Sequence, residues 1–488
     1  MWTSVCNIPF NPMKILHICS EMYPLMKTGG LADVLGALPF SQQAQREDVR
    51  VLLPYYPQVA AQLGETVEVA RRETFAGTAA IRFAYYQGLG IYVLDAPQCF
   101  ARGGNPYHDE HYQDYPDNYR RFALLSYLGA QLAEGLDQWW GRADVLHAHD
   151  WQAGLACAYL HHWHSPVKSV FTIHNIAYVG RFAAHHLPEL ELPWQAFSMY
   201  GLEFYGELSY LKAGLFYADL ITTVSPTYAR EITESIAGAG FHQLLAERAA
   251  EGRLVGILNG VDENIWQPAH DPLIDKTYSA ATLADKAVNK SALQKHFQLP
   301  QDKKTLLIGM VARLTEQKGA DIVLDALPEL LKEKVQMIVL GSGAPHLQER
   351  FQALAAQYPQ HIGLHLGYDE ALAHRIFAGS DMILVPSRFE PCGLTQLYAL
   401  KYGALPLVRR TGGLADTVID SDTGGTQATG FSFGEANSVD FLAVCRRALK
   451  LWQQQPQWQH LCRNAMAQAF TWTQAAQEYR QIYRRLIS

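Results

Sequence analysis

A chain of 488 residues, 49% apolar and 18% charged, is too long for one ordinary core and has the composition of a globular enzyme, which makes two domains the default. Its formal net charge of −7 argues against non-specific binding to nucleic acid or to an anionic membrane, so an anionic ligand needs a local cluster of Lys and Arg. The seven scattered cysteines contain no Cys-x-x-Cys pair, which argues against a disulfide framework or a zinc site and fits a reducing cytosol, and no run is long and apolar enough to span a membrane.

Residues 1–12 lack a basic stretch and a long apolar core, and Met13 is read as the start of the fold after a disordered extension. From there to about residue 255, short apolar runs alternate with helical patterns, the form of a doubly wound parallel sheet. A strand at 15–19 leads into Met26-Lys27-Thr28-Gly29-Gly30-Leu31, a glycine turn before a helix starting at Leu31. Further strands are expected at 49–53, 91–94, 144–147, 169–173, 220–224 and 254–258, with helices at 118–136, 209–217 and 226–234. The stretch 102–117, with Gly103-Gly104-Asn105-Pro106 and many aromatics, reads as a long irregular loop of the kind that often carries function. Around Pro268 and Pro272 the pattern breaks, which marks 259–279 as a hinge. Strands at 305–311, 336–340, 363–366, 382–385 and 405–408 then alternate with helices at 321–332, 346–358, 371–378 and 393–402. The expected organisation is a Rossmann-like domain over 13–258, a hinge over 259–279, a second Rossmann-like domain over 280–468 and a closing helix within 469–488. Two such domains present the C-terminal ends of their strands to one cleft.

Four stretches carry chemistry. In Lys27-Thr28-Gly29-Gly30 the glycines let a ligand approach the backbone, the helix start aims N–H groups at an anion, and Lys27 adds a mobile charge. The hexapeptide Thr28 to Asp33 recurs letter for letter as Thr411-Gly412-Gly413-Leu414-Ala415-Asp416, again after an apolar strand, which suggests two similarly built halves. Arg313 and Lys318 follow a strand and precede a helix, a placement suited to phosphate oxygens, with a solvated helix start as the plain alternative. In Glu390-Pro391-Cys392-Gly393-Leu394-Thr395, read as opening a helix at Cys392, the N–H groups can hold hydroxyls or phosphate and Glu390 can accept from sugar hydroxyls; Cys392 equally reads as a small buried hydrophobe. His147-Ala148-His149-Asp150 and His174-Asn175 end adjacent strands; a metal-dependent hydrolase is conceivable there, but no His-Glu-x-x-His helix exists and His161, His162 and His164 fall on a helix facing away.

Lys27-Thr28-Gly29-Gly30-Leu31, with the other motifs in the same order, resembles bacterial glycogen synthases and plant starch synthases that use ADP-glucose. The resemblance runs from about Met13 to the C-terminus and implies a two-domain GT-B fold whose last helix crosses back onto the first domain. It implies retaining transfer of glucose from ADP-glucose to the non-reducing end of an α-1,4-glucan, without a cofactor, in the cytoplasm. Arg313, Lys318 and Lys27 would stabilise the diphosphate leaving group, while Glu390, Asp150 and His174 orient glucose. Asn175 and the hinge-proximal Asn259 match auxiliary contacts, Tyr107 a tyrosine near sugar and acceptor, and Tyr368 an aromatic beside adenine. Many retaining GT-B enzymes carry a second Glu seven residues after the first, where Tyr398 stands here, as in the ADP-glucose branch. Rival readings are a GT-B enzyme using UDP-glucose or a small acceptor, and a non-catalytic glucan-binding protein; no lysine marks a pyridoxal-phosphate site.

Overall fold

In the computed structural model, which describes residues 12–488, the chain forms two units. One holds the described residues up to Val224 together with Ala229–Ile257 and Trp472–Ser488, and the other holds Ser225–Tyr228 and Leu258–Thr471. Apart from Pro12, the extension expected before Met13 lies outside the described residues.

The first unit is built on β1 (Lys14–Ile18), β2 (Asp48–Pro54), β3 (Val67–Thr74), β4 (Gly77–Tyr86), β5 (Leu89–Asp95), β6 (Val145–His149) and β7 (Lys168–Ile173). A small antiparallel sheet follows, of β8 (Arg181–Ala183), β9 (Glu203–Phe204) and β10 (Glu207–Ser209), before β11 (Leu220–Thr223) and β12 (Leu254–Gly256) complete the main one. Its order is β12-β11-β7-β6-β1-β2-β5-β4-β3. Eight of the nine strands run the same way and β4 runs against them; β3 and β4, each paired antiparallel, are additions that the expected all-parallel pattern omits. Two-residue links force this: Phe75-Ala76 and Gln87-Gly88 are too short for a crossover, and Gln87 and Gly88 both take positive φ, as a primed hairpin turn requires. β3 carries Glu68, Arg71, Arg72 and Glu73, a charged and largely exposed edge that blocks further pairing and hides the strand from a search for apolar runs. Around β1 and β6 the strand order reverses, which places a crevice at their C-terminal ends. The helix Trp472–Ile487 packs on the helix Leu38–Ala44, with Arg480 paired to the buried Glu47 at 2.7 Å.

The second unit holds six parallel strands, β13 (Leu306–Val311), β14 (Val335–Gly341), β15 (Ile362–Leu366), β16 (Met382–Val385), β17 (Leu405–Arg409) and β18 (Phe431–Phe433), in the order β15-β14-β13-β16-β17-β18. The order reverses between β13 and β16, so a second crevice opens after those two strands. Although aperiodic, the segment 259–279 is fixed inside this unit. Val261 joins the core, Trp266 stacks between His374 and Tyr398 at centroid distances of 3.8 and 4.0 Å, and buried Asp271 accepts from His374 and Tyr402. Tyr398 is therefore committed to packing.

Candidate active site

Each sheet carries a cluster of polar side chains at its reversal point. On the first unit, β6 ends at His149 and the chain turns sharply at Asp150, which sits at φ +55°, a conformation a non-glycine residue holds only when its surroundings impose it. Here the imposition is a hydrogen bond: Asp150 Oδ1 accepts the backbone N–H of His174, just beyond β7, at 2.8 Å. Burial pushes the Asp150 carboxyl up to about 7. Asn175 follows, its Oδ1 accepting from the Ala177 N–H at 3.0 Å.

Beyond β1, the loop holds a residue that the motif reading missed. Glu21 is buried at 2% exposure, and its carboxylate accepts from the Thr28 N–H and hydroxyl, from the Gly29 N–H and from the Tyr107 hydroxyl, while Ser20 reaches the same tyrosine at 2.8 Å. Two N–H groups of the turn, those of Thr28 and Gly29, thus serve an internal carboxylate. Burial and the Glu21 charge push the Tyr107 hydroxyl well above its usual range. Lys27 is exposed and pairs with Asp33 at 2.7 Å, and Gly29 and Gly30 have open space where a Cβ would stand. No local pattern around Cys19-Ser20-Glu21 marks this carboxylate in the sequence.

On the second unit, β13 delivers Arg313 and Lys318, and β16 delivers Ser387 and Glu390; the four line one pocket with Val311 and Thr395. Lys318 Nζ lies 2.5 Å from Glu390 Oε2, which also accepts from Ser387 Oγ at 2.9 Å. Arg313 is exposed and makes no ion pair among the described residues. Gly319, at φ +72°, lets the chain pass the Pro386 carbonyl, which a Cβ would meet at 2.2 Å. The helix expected to open at Cys392 begins at Thr395, with Leu394 as its cap; Cys392 and Gly393 form the preceding turn, whose carbonyls accept from Gln396 Nε2. Burial raises the Cys392 thiol to about 12, so it stays neutral, with the Asn259 backbone hydrogen-bonded to its sulfur. Tyr368 is 76% exposed past β15, its hydroxyl bonded to Glu370 at 2.8 Å.

The repeated hexapeptide does two different jobs. Gly412, at φ +45°, and Gly413 lie where a Cβ would meet the Glu390 carbonyl at 2.0 Å and the Cys392 carbonyl at 2.2 Å. The second copy thus buttresses the Glu390 turn from behind, whereas the first copy faces open space.

Residues 14–247 match the family model described as the starch synthase catalytic domain, and residues 292–463 match that of glycosyl transferases group 1. A glycogen synthase of Actinobacillus pleuropneumoniae serotype 5b (strain L20) is 63% identical over 478 residues, which cover 97% of this chain and all of that one. The chain belongs to the glycogen synthase family. A second family member, from Serratia proteamaculans (strain 568), is 55% identical over 477 residues, with 97% of this chain and all of the relative covered. Among solved structures, the catalytic domain of starch synthase IV from Arabidopsis thaliana, bound to ADP and acarbose, superposes with a TM-score of 0.87 at 31% identity, covering 98% of this chain and all of that one. Sucrose-phosphate synthase from Thermosynechococcus elongatus, at 15% identity and a TM-score of 0.59, shares the fold. This family member is a glycosyltransferase of GT-B fold with two Rossmann-like units. Among the described residues no helix is long and apolar enough to cross a membrane.

Proposed function

We propose that the protein transfers glucose from ADP-glucose to the non-reducing end of an α-1,4-glucan with retention at the anomeric carbon, as a cytoplasmic enzyme with glycogen as acceptor and no cofactor beyond its donor. The observation that carries this reading is the pocket of Arg313, Lys318 and Glu390 at the reversal point of the second sheet, in a chain 31% identical to a starch synthase structure bound to ADP.

In the reaction the bond from C1 to the diphosphate breaks, C1 bonds to the glucan 4-oxygen, and the hydroxyl proton leaves on the ADP side. Charge grows on the diphosphate, so preorganised cations act where the transition state differs from the substrate. We assign Arg313 and Lys318 to that charge, with Lys27 as a further cation and Gly29 and Gly30 as open backbone beside it. Glu390 anchors Lys318 and accepts from sugar hydroxyls, and Gly393, Leu394 and Thr395 supply backbone donors around Cys392 and Asn259. Asp150, His174 and Asn175 orient the glucosyl hydroxyls, Tyr107 borders sugar and acceptor, and Tyr368 stacks on adenine, worth on the order of 1 kcal/mol. Glu21 is no candidate nucleophile, since Thr28, Gly29 and Tyr107 already occupy its oxygens. In line with the family resemblance, we assign activation of the incoming hydroxyl to the face of the departing diphosphate.

Incorporation of labelled glucose into glycogen from ADP-glucose and, in parallel, from UDP-glucose tests the reading. Strong transfer from ADP-glucose alone is expected. A preference for UDP-glucose would overturn the assignment of the base, and transfer from neither would overturn the reading in favour of a small acceptor or a non-catalytic glucan-binding protein.

A further inference from the structure

His174 is backed by a column of buried imidazoles. Its Nε2 lies 3.0 Å from His149 Nδ1, His149 Nε2 lies 2.9 Å from His17 Nδ1, and His17 Nε2 lies 2.7 Å from Gln42 Oε1. A second branch leaves the same amide: Gln42 Nε2 donates to the Tyr483 hydroxyl at 3.2 Å, which reaches His147 Nδ1 at 2.6 Å, and His147 Nε2 meets Thr172 Oγ1 at 2.5 Å. Gln42, His17, His147, His149 and Tyr483 are all essentially inaccessible to solvent. Nitrogens of His17, His147 and His149 come within 4.8 Å of one another, near enough to hold a metal ion. Yet all six ring nitrogens of that trio have hydrogen-bond partners, so the hydrogen-bond network accounts for the arrangement.

A neutral imidazole has one donor nitrogen and one acceptor nitrogen, so in a chain of neutral imidazoles the group at one end sets every tautomer. Burial keeps these rings neutral: it lowers His17 to about 4 and His174 to about 3, and takes His147 and His149 well below the usual range. The Gln42 carbonyl can only accept, so His17 carries its proton on Nε2 and offers Nδ1 to His149 Nε2–H. By the same logic His149 Nδ1 accepts from His174 Nε2–H, and His174 is left with an unprotonated Nδ1.

We propose that Gln42 is a positioning residue which, through His17 and His149, holds His174 as its Nε2–H tautomer, so that Nδ1 is presented as an acceptor for a hydroxyl of the donor sugar. The sugar contact rests on the placement of His174 proposed above; the tautomer does not.

Two-bond 1H–15N correlation spectra of the full-length, 15N-histidine-labelled protein without substrate read each tautomer directly. His17, His149 and His174 are expected as neutral Nε2–H forms. Gln42→Leu removes the anchor, so His174 should populate both tautomers and the KM for ADP-glucose should rise about ten-fold with kcat nearly unchanged, the loss of one neutral hydrogen bond felt equally in ground and transition states. Gln42→Glu keeps an acceptor at His17 but has no amide donor for Tyr483, which must then donate to the carboxylate. Here His174 should stay Nε2–H with a normal KM, while His147 switches to its Nδ1–H form. A wild-type His174 carrying its proton on Nδ1 overturns the proposal, as does a Q42L spectrum identical to wild type. Should Q42L fail to fold, the wild-type and Q42E spectra decide. The stated tautomers combined with an unchanged KM in Q42L would refute the sugar contact while leaving the column intact.

Discussion

Replacing Lys318 with Ala separates the structural part of the Lys318–Glu390 pair from its catalytic part. In the folded protein Lys318 Nζ lies 2.5 Å from Glu390, whose side chain is 9% exposed and which also accepts a hydrogen bond from Ser387 at 2.9 Å. Removing the amine strands a nearly buried carboxylate. Breaking a fully buried pair costs about 3–5 kcal/mol and an exposed one about 0–1 kcal/mol. With Lys318 itself 21% exposed, the pair lies between these limits, at about 2 kcal/mol, or a fall of about 4–8 °C in the midpoint for a unit of this size. The leaving group loses a preorganised cation as well, an independent cost of about 2.7–4 kcal/mol, or about 10²–10³ in kcat. The double variant K318A/E390Q removes the stranded charge while keeping the shape of Glu390. Its midpoint should recover most of the loss while turnover stays depressed by at least the single-variant factor. Thermal melting and initial rates at saturating glycogen measure the two effects. A K318A turnover within about three-fold of wild type would sink the leaving-group assignment, and a double variant no more stable than the single one would sink the stranded-charge argument.

Two further outcomes follow from the geometry. Gly412→Ala, at φ +45° with the Glu390 carbonyl 2.0 Å from the new Cβ, should destabilise by more than about 2 kcal/mol, whereas Gly29→Ala, at φ −155° with open space, should stay within about 0.5 kcal/mol; equal melting shifts would contradict the division of labour between the two hexapeptides. The pH dependence carries two opposing contributions. Folding lowers His17 to about 4 and His174 to about 3, so the unfolded chain binds the extra protons and stability drains away as pH falls below about 6.5. Folding raises Asp150 to about 7, so there the folded state holds the extra proton and stability falls as pH rises from about 4 to 7. The stability of Asp150→Asn relative to wild type should therefore climb across pH 4–7 and level off above, as followed by urea midpoints; a constant difference would refute the assignment.

Much of this protein is written locally. An apolar run followed by a glycine turn and a helical pattern determines a strand–loop–helix unit, because strand and helix periodicities are properties of neighbouring residues. Thus β1, β6, β7, β13, β16 and β17 could be read from the chain, and with them the strand ends that bear Asp150, His174, Arg313, Lys318 and Glu390. Local reading did not reach β3 and β4, whose charged edge carries little apolar signal, or the anchoring of 259–279, where one tryptophan stacked on His374 and Tyr398 replaces any periodic pattern. Nor did it reveal that Glu21 claims the N–H groups of Thr28 and Gly29, since a carboxylate six residues before a lysine has no period to announce it.

The hexapeptide makes the limit plain. Six identical residues open a helix in both units, and the sequence alone determines that much; the backbone differs, with the helix starting at Gly30 after an extended Gly29 (φ −155°) in the first copy and at Gly412 (φ +45°) in the second. Whether its glycines admit a ligand or a carbonyl depends on which other segment lies against them, and only the tertiary structure brings the Glu390 turn onto Gly412 while leaving Gly29 uncovered. The same holds for the imidazole column: His17, His149, His174 and Gln42 come from four separate segments, and their tautomers are a property of the hydrogen bonds that folding creates between them.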